Sequence, residues 1–355
     1  MYYNASKSSI KHPASKLTRH DSTNSRVTSM ESDRSPQSFI RQLACAGLFF
    51  GALTETAAAP PSGPAPMIPA RIAVRYQDEI SPNRVRALTV LPGEAVTFEV
   101  VGGNPGSSYV AQPAAGRIEP LGAGRWAWTS PPAPGLYPIK VVAPDSGDAV
   151  TLQAFVLVPY DRLQGEILNG YRIGRYPEKP FRGLADYRPP AGFVEVTPEN
   201  EDVLASPHFH LKQFLCKQPA GSRKYVVLNE RLLLTLEYIL ERVNVAGYRA
   251  TTFHVLSGYR TPAHNRSLGN VRYSLHQYGA AADIFIDENG DGVMDDLNKD
   301  GLCNIRDAEV LYRLIEDAAA RPEAQGLIGG LGKYPKTAAH GPFVHVDVRD
   351  RRARW

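Results

Sequence analysis

Two short apolar stretches, far apart in the chain, constrain the fold more than any other part of the sequence. Ser274-Leu275-His276-Gln277-Tyr278-Gly279-Ala280-Ala281-Ala282-Asp283 sets a His and an Asp seven residues apart beside a strand-like run. Phe343-Val344-His345-Val346-Asp347-Val348 alternates, so His345, Asp347 and Arg349 share one face of a strand. A polar row among Phe, Val and Ala is what a strand lining a site shows. Gly279 permits a tight turn, and the alanines after it allow close packing, so His276 and Asp283 can converge on one point. Two imidazoles and one carboxylate are the ligand set of an open zinc site, in which a fourth position is left for water.

The rest of the chain frames these stretches. Its 355 residues suffice for roughly two domains. A net charge of +4 is small for that length and gives no reason to expect a nucleic-acid partner. Residues 1–59 read as a Ser/Thr/Asn-rich disordered tail followed by a signal-like segment. Within it, the run Leu43–Leu53 behind Arg41, with Ala57, Ala58 and Ala59 after it, has the form of a signal-peptide core and cleavage site. A short buried helix or a lone membrane anchor is the alternative. Met30 starts such a signal more naturally than Met1. The reading is export to a bacterial periplasm or cell envelope, with no transmembrane span after signal removal. Cys45 falls inside the signal-like run, which leaves Cys216 and Cys303 either to pair or to stay as thiols.

Residues 60–69 form a Pro-rich linker. From 70 to 160, short alternating runs such as Ile72–Tyr76, Val96–Val100 and Leu152–Val158 recur between turn signals, which predicts an immunoglobulin-like β-sandwich. It carries no catalytic constellation and reads as a spacer or docking module. Residues 161–195, rich in Gly, Pro, Tyr and Arg, read as an ordered linker. Between 196 and 355, a helical stripe (Leu232, Leu233, Leu236, Ile239, Leu240, Val243), a second helix from about Asp307 and several short strands predict an α+β domain with a small antiparallel sheet.

Four blocks in order carry a family resemblance: Ser257-Gly258-Tyr259-Arg260-Thr261-Pro262, the His276–Asp283 block, Gly329-Gly330-Leu331-Gly332 with Tyr334-Pro335, and Phe343–Asp347. Over residues 205–355 the chain resembles the zinc D-Ala-D-Ala carboxypeptidases, peptidase family M15, and within it the YcbK-like (DUF882) branch. The resemblance implies His276, Asp283 and His345 as ligands of one catalytic zinc ion. It implies Arg260 as the group that holds a substrate carboxylate or carbonyl, a task that suits a bidentate, always-charged guanidinium. A turn-stabilising salt bridge is the alternative role for Arg260. The chain departs from the family pattern at Pro342, where better-known members carry an acid. Asp347 and His340 remain as the catalytic candidates for moving the proton or steadying the intermediate, with Asp347 alternatively orienting an imidazole. His208, His210, His254 and His264 read as structural.

A second metal signal follows the Asp283 strand. Residues 287–301 repeat a D-x-N-x-D-G pattern, the spacing of oxygen-rich calcium loops. One register places ligands on Asp287, Asn289, Asp291 and Asp295; the next on Asp296, Asn298, Asp300 and Asp307. The expectation is structural calcium in an insertion spanning 287–307. An acidic surface turn is the alternative.

Three functions compete at this point. The leading one is an exported zinc metallopeptidase, a carboxypeptidase or endopeptidase acting on peptidoglycan stem peptides or cross-links. The second is a weak or inactive wall-binding protein of the same fold. The third is a calcium-dependent adhesin. The sequence does not fix an oligomeric state.

Overall fold

Alternation with one buried face builds two five-stranded sheets from residues 72–156. The computed structural model describes residues 72–103 and 106–355. The expected tail, signal-like run, Cys45 and linker 60–69 lie outside the described residues. The first sheet runs Glu79–Ser81, Ile72–Tyr76, Ala95–Gly102, Arg125–Thr129, Arg117–Gly122, antiparallel throughout. The second runs Val85–Val90, Asp148–Val156, Ile139–Ala143, Val110–Pro113, with Gly135–Leu136 also on Asp148–Val156; its Val85–Val90 pair with Asp148–Val156 is parallel. Ile72, Val74 and Tyr76 meet Leu88, Trp128, Val141 and Leu152 in one apolar cluster between the sheets. Trp128 is fully buried, and its indole N–H donates to the Ala115 carbonyl at 2.9 Å, so the ring buries its area without an orphaned donor.

The outer face of the second sheet is also covered. Ala87 and Phe155 belong to a larger core that continues through the rest of the chain. Residues 161–195, expected as an ordered linker, add Leu168, Tyr171, Ile173, Tyr176, Tyr187 and Phe193 to that core. Their rings bury well because their polar ends are held: Tyr176 Oη lies 3.0 Å from Tyr259 Oη and donates to the Gln277 carbonyl at 2.8 Å. Val158–Pro159, Gly192–Val196 and Lys224–Val226 form a small antiparallel sheet within it. All described residues fall in one compact unit.

Three helices and a five-stranded sheet frame the site. Helix α1, Glu230–Val245, starts where the Asn229 side chain accepts from the Leu232 N–H, and it buries the apolar stripe seen in sequence. Helix α2, Pro262–Ser267, has Pro in its first turn and Thr261 as its cap. Helix α3, Ile305–Ala319, opens on a reciprocal cap between Asn304 and Asp307. The sheet order is His254–Ser257, Ala281–Phe285, Phe343–Asp347, Gly330–Tyr334, Ala353–Arg354. It is antiparallel except for its last pair, which is parallel. The molecule is thus α+β and rich in small sheets. Cys216 and Cys303 are both free thiols. Among the described residues, no helix is long and apolar enough to cross a membrane.

Candidate metal centre

The register of two adjacent strands creates the site. Asp283 pairs directly with His345, and Ala281 with Asp347, so the acid and the imidazole stand side by side on one face. His276 comes from the single 3-10 turn Leu275–Tyr278 that leads into the first of these strands. That turn ends at Gly279, whose φ of 64° is left-handed, and a side chain there would strike the Val227 carbonyl. Gly279 therefore lets the turn fold tightly enough to aim His276 at Asp283.

Three ligand atoms converge. His276 Nε2 is 3.2 Å from Asp283 Oδ1 and 3.3 Å from His345 Nδ1, and His345 Nδ1 is 2.8 Å from Asp283 Oδ1. Donors about 2.0–2.1 Å from a tetrahedral zinc ion lie about 3.3–3.4 Å from one another, which is close to these separations. The partners behind each ring fix its tautomer. His276 Nδ1 lies 2.7 Å from the Gly258 carbonyl, which can only accept, so Nδ1 carries the hydrogen and Nε2 presents its lone pair inward. His345 Nε2 lies 3.1 Å from Asp347 Oδ2, and a hydrogen donated there leaves Nδ1 facing the other two ligands. The residues present therefore fit a metal ion. Among the described residues, they are the one group of three or more His, Cys, Asp or Glu side chains able to hold one.

The electrostatics point the same way. Burial alone would raise the Asp283 carboxyl, but the adjoining His276 and His345 hold it well below the usual carboxylate range. Burial pushes His276 down, keeping its imidazole neutral. Burial would also lower His345, yet hydrogen bonds to Asp283 and Asp347 carry it up to about 9. Two sealed carboxylates around one ring demand a cation between them, whether a proton or a metal ion.

Asp347 is fully buried behind His345, away from the ligand atoms. It accepts from the Gly330 N–H at 3.0 Å and forms an ion pair with Arg349. Gly330 stands opposite it in the register, and a Cβ there would meet its carboxylate at 2.1 Å. Asp347 is placed to orient the ring. Arg260 donates through Nε to Ser257 Oγ at 2.7 Å and pairs through its terminal nitrogen with the second oxygen of Asp283. It thus anchors a ligand while still lining the cavity.

That cavity, of about 750 Å³, opens over the three ligands. Its lining includes Arg260, His264, His340, Tyr334, Phe343 and Trp355. Sequence reasoning missed Trp355, whose ring lies 5.4 Å from that of His345 and whose indole N–H donates to Tyr334 Oη at 2.6 Å. Gly332 makes room for it, since a Cβ there would meet the indole at 2.3 Å. His264, expected as structural, faces the cavity, and burial together with Arg260 lowers its pKa. Its readable signal was the helix start at Thr261-Pro262. His340 donates through Nδ1 to the Gly341 carbonyl at 2.8 Å, which leaves Nε2 as an acceptor when the ring is neutral.

The other histidines have structural partners. His208 sits on Glu237 at 2.6 Å, His210 on the Asp202 carbonyl at 2.6 Å, and His254 stacks on Phe285 and contacts Asp287. In the acidic loop, the two halves repeat one pattern. Asp287 accepts from the N–H groups of Asp291 and Gly292, as Asp296 does from Asp300 and Gly301. Asn289 and Asn298 accept from the same Asp291 and Asp300 N–H groups, and Asp295 accepts from the Glu288 N–H. Asp307 is sealed, taking N–H groups from Leu297, Asn298 and Asn304. These oxygens cap their own backbone, and no three acids of the loop gather ligand atoms on one point.

No curated protein matches the chain. Residues 207–300 match the family model described as Peptidase M15, a span that contains Arg260, His276 and Asp283 and ends before His345. Through this region the chain is similar to the M15 peptidases.

Proposed function

We propose that the chain is a zinc-dependent metallopeptidase that hydrolyses peptide bonds in peptidoglycan stem peptides or cross-links, as a carboxypeptidase or an endopeptidase. The observation that carries this reading is the convergence of His276 Nε2, Asp283 Oδ1 and His345 Nδ1 beneath an open cavity. Zinc, when bound, supplies Lewis acidity and a water made acidic enough to attack near neutral pH. The chain's own residues do the rest. Asp347 and the Gly258 carbonyl hold the two imidazoles in their ligating tautomers. Arg260 pairs with Asp283 and offers charge to a substrate carboxylate or carbonyl. His340, which lines the cavity with Nδ1 on the Gly341 carbonyl, is the proton acceptor in this proposal, because Asp347 lies behind the His345 ring. The exported location, the immunoglobulin-like spacer and a calcium ion on loop 287–307 belong to the same proposal, supported by the sequence patterns that suggest them.

A wall-binding protein without catalysis is the second reading. It is favoured by the cavity lining, in which Asp283 is the only carboxylate among the described residues. Incubating the zinc-loaded protein with defined muropeptides and weighing the products decides between the two. Cleavage that falls about a thousandfold in His276→Ala supports the peptidase. Zinc retained at one equivalent with no product from any muropeptide supports the binder. In the same preparation, chelating calcium should lower the melting temperature without loss of zinc; no change in melting removes calcium from the proposal.

A further inference from the structure

Helix α2 is a partition between two cavities. His264 on one side faces the metal centre, while Pro262, Asn265 and Arg266 line a second cavity of about 800 Å³ on the other. The two spaces meet at Asn270 and Tyr273, which line both. They also meet along the turn that carries the first ligand, where His276 borders one cavity and Gln277 the other.

The second cavity is strongly basic. Arg175, Lys179, Arg266 and Arg272 line it, against the single acid Glu178. Glu166 approaches Arg266 at 3.7 Å and Arg175 at 3.8 Å, loose contacts that leave most of each guanidinium fork available. Among the described residues, no ion pair engages Lys179 or Arg272. Arg272 lies over the Tyr273 ring at 5.6 Å, which presents it at the junction of the two cavities. The wall is rigid: Tyr176 is held by Tyr259 and the Gln277 carbonyl, and Tyr273 packs on Phe181 at 5.1 Å. Asn265 is 2% exposed, and its amide braces the wall by donating to the Val271 carbonyl at 3.0 Å. Four cations against one acid suit a peptide that brings carboxylates.

We propose that this basic cavity is a second substrate subsite, which takes the carboxylate-bearing arm of an acidic peptide whose scissile bond lies at the His276–Asp283–His345 centre. The proposal rests on the peptidase reading and deepens it by naming a charge requirement at a distance from the cut. Guanidinium forks match carboxylates bidentately, and because all four cations are exposed the attraction should weaken as salt rises. Holding a remote arm would fix the reacting bond over the ligands.

The test uses the full zinc-loaded chain and two probes, a tetrapeptide with two free carboxylates and its doubly amidated twin. Calorimetry at low salt is expected to show the acidic peptide binding about fivefold more tightly. Lys179→Gln/Arg272→Gln should erase that preference, and so should Arg266→Gln separately, with zinc content and melting temperature unchanged in each. His276→Ala should keep the preference while losing cleavage. Equal binding of the two peptides to the wild type overturns the subsite, as does a preference that survives in both basic-cavity variants. Preferential binding without cleavage of either peptide overturns the peptidase reading and leaves the anion site standing.

Discussion

At the scale of single residues, the site depends on what stands behind each ligand. Asp347 never reaches the cavity, yet it sets which nitrogen of His345 faces the other ligands. Replacing it with Asn removes the charge that raises the basicity of the ring while nearly conserving shape. Zinc affinity should fall about tenfold in Asp347→Asn, read by competition with a chromophoric chelator. An unchanged affinity would show that Arg349 and Gly330, rather than Asp347, organise this side of the site. The gathering of His276, Asp283 and His345 was legible in the sequence because strand alternation and a tight Gly turn are local rules. Trp355 was not legible: it reaches His345 only through the parallel pairing of Ala353–Arg354 with Gly330–Tyr334, a contact that no local pattern announces. The departure at Pro342 was visible from the sequence, but where a substitute proton acceptor would sit was not.

At the scale of elements, α1 joins the two sheets of residues 72–156 to the rest of the molecule through its first residue. Glu230 accepts from both the N–H and the hydroxyl of Thr89, at 2.8 Å and 3.2 Å. Burial pushes its carboxyl up to about 7, against a lowering pull from Arg86 and the Thr89 bonds. An acid whose pKa is raised on folding costs nothing below its unfolded value near 4.5. The cost grows as pH rises toward 7 and is complete above it. Glu230→Gln keeps an acceptor for Thr89 without the charge. The variant should gain on the order of 1–2 kcal/mol over the wild type at pH 8 and little at pH 4, allowing for partial exposure. Urea titrations at the two pH values check this, and a gain independent of pH would refute it. Helix α1 was readable from its apolar stripe, and α3 begins two residues before the expected Asp307, because its cap falls on Asn304. Strands such as Val85–Val90, which takes a parallel partner from Asp148–Val156, were harder to read, since pairing across such a separation leaves no mark on either segment.

At the scale of the whole molecule, composition shifts suggested modules separated by linkers. The described residues instead share cores: Ala87 and Phe155 of the sandwich pack into the same cluster as Tyr176, Phe193 and the site strands. Aromatic residues in a Gly- and Pro-rich segment were the missed signal, because rings bury area even where no helical or strand period exists. Calorimetry of the chain should therefore show one cooperative transition, with calorimetric and van't Hoff enthalpies in agreement. Two resolved transitions would show that the sandwich melts on its own. Strand order has a further consequence, for the life history of the protein. His276 and Asp283 are made early and near each other, but His345 follows Asp283 by 62 residues and is aligned only when Phe343–Asp347 docks between two other strands. A nascent or unfolded chain therefore has no place to keep an ion. An ion held there must come from whichever compartment the chain finally folds in, and that compartment, more than any ranking of intrinsic affinities, decides which ion the finished protein can carry.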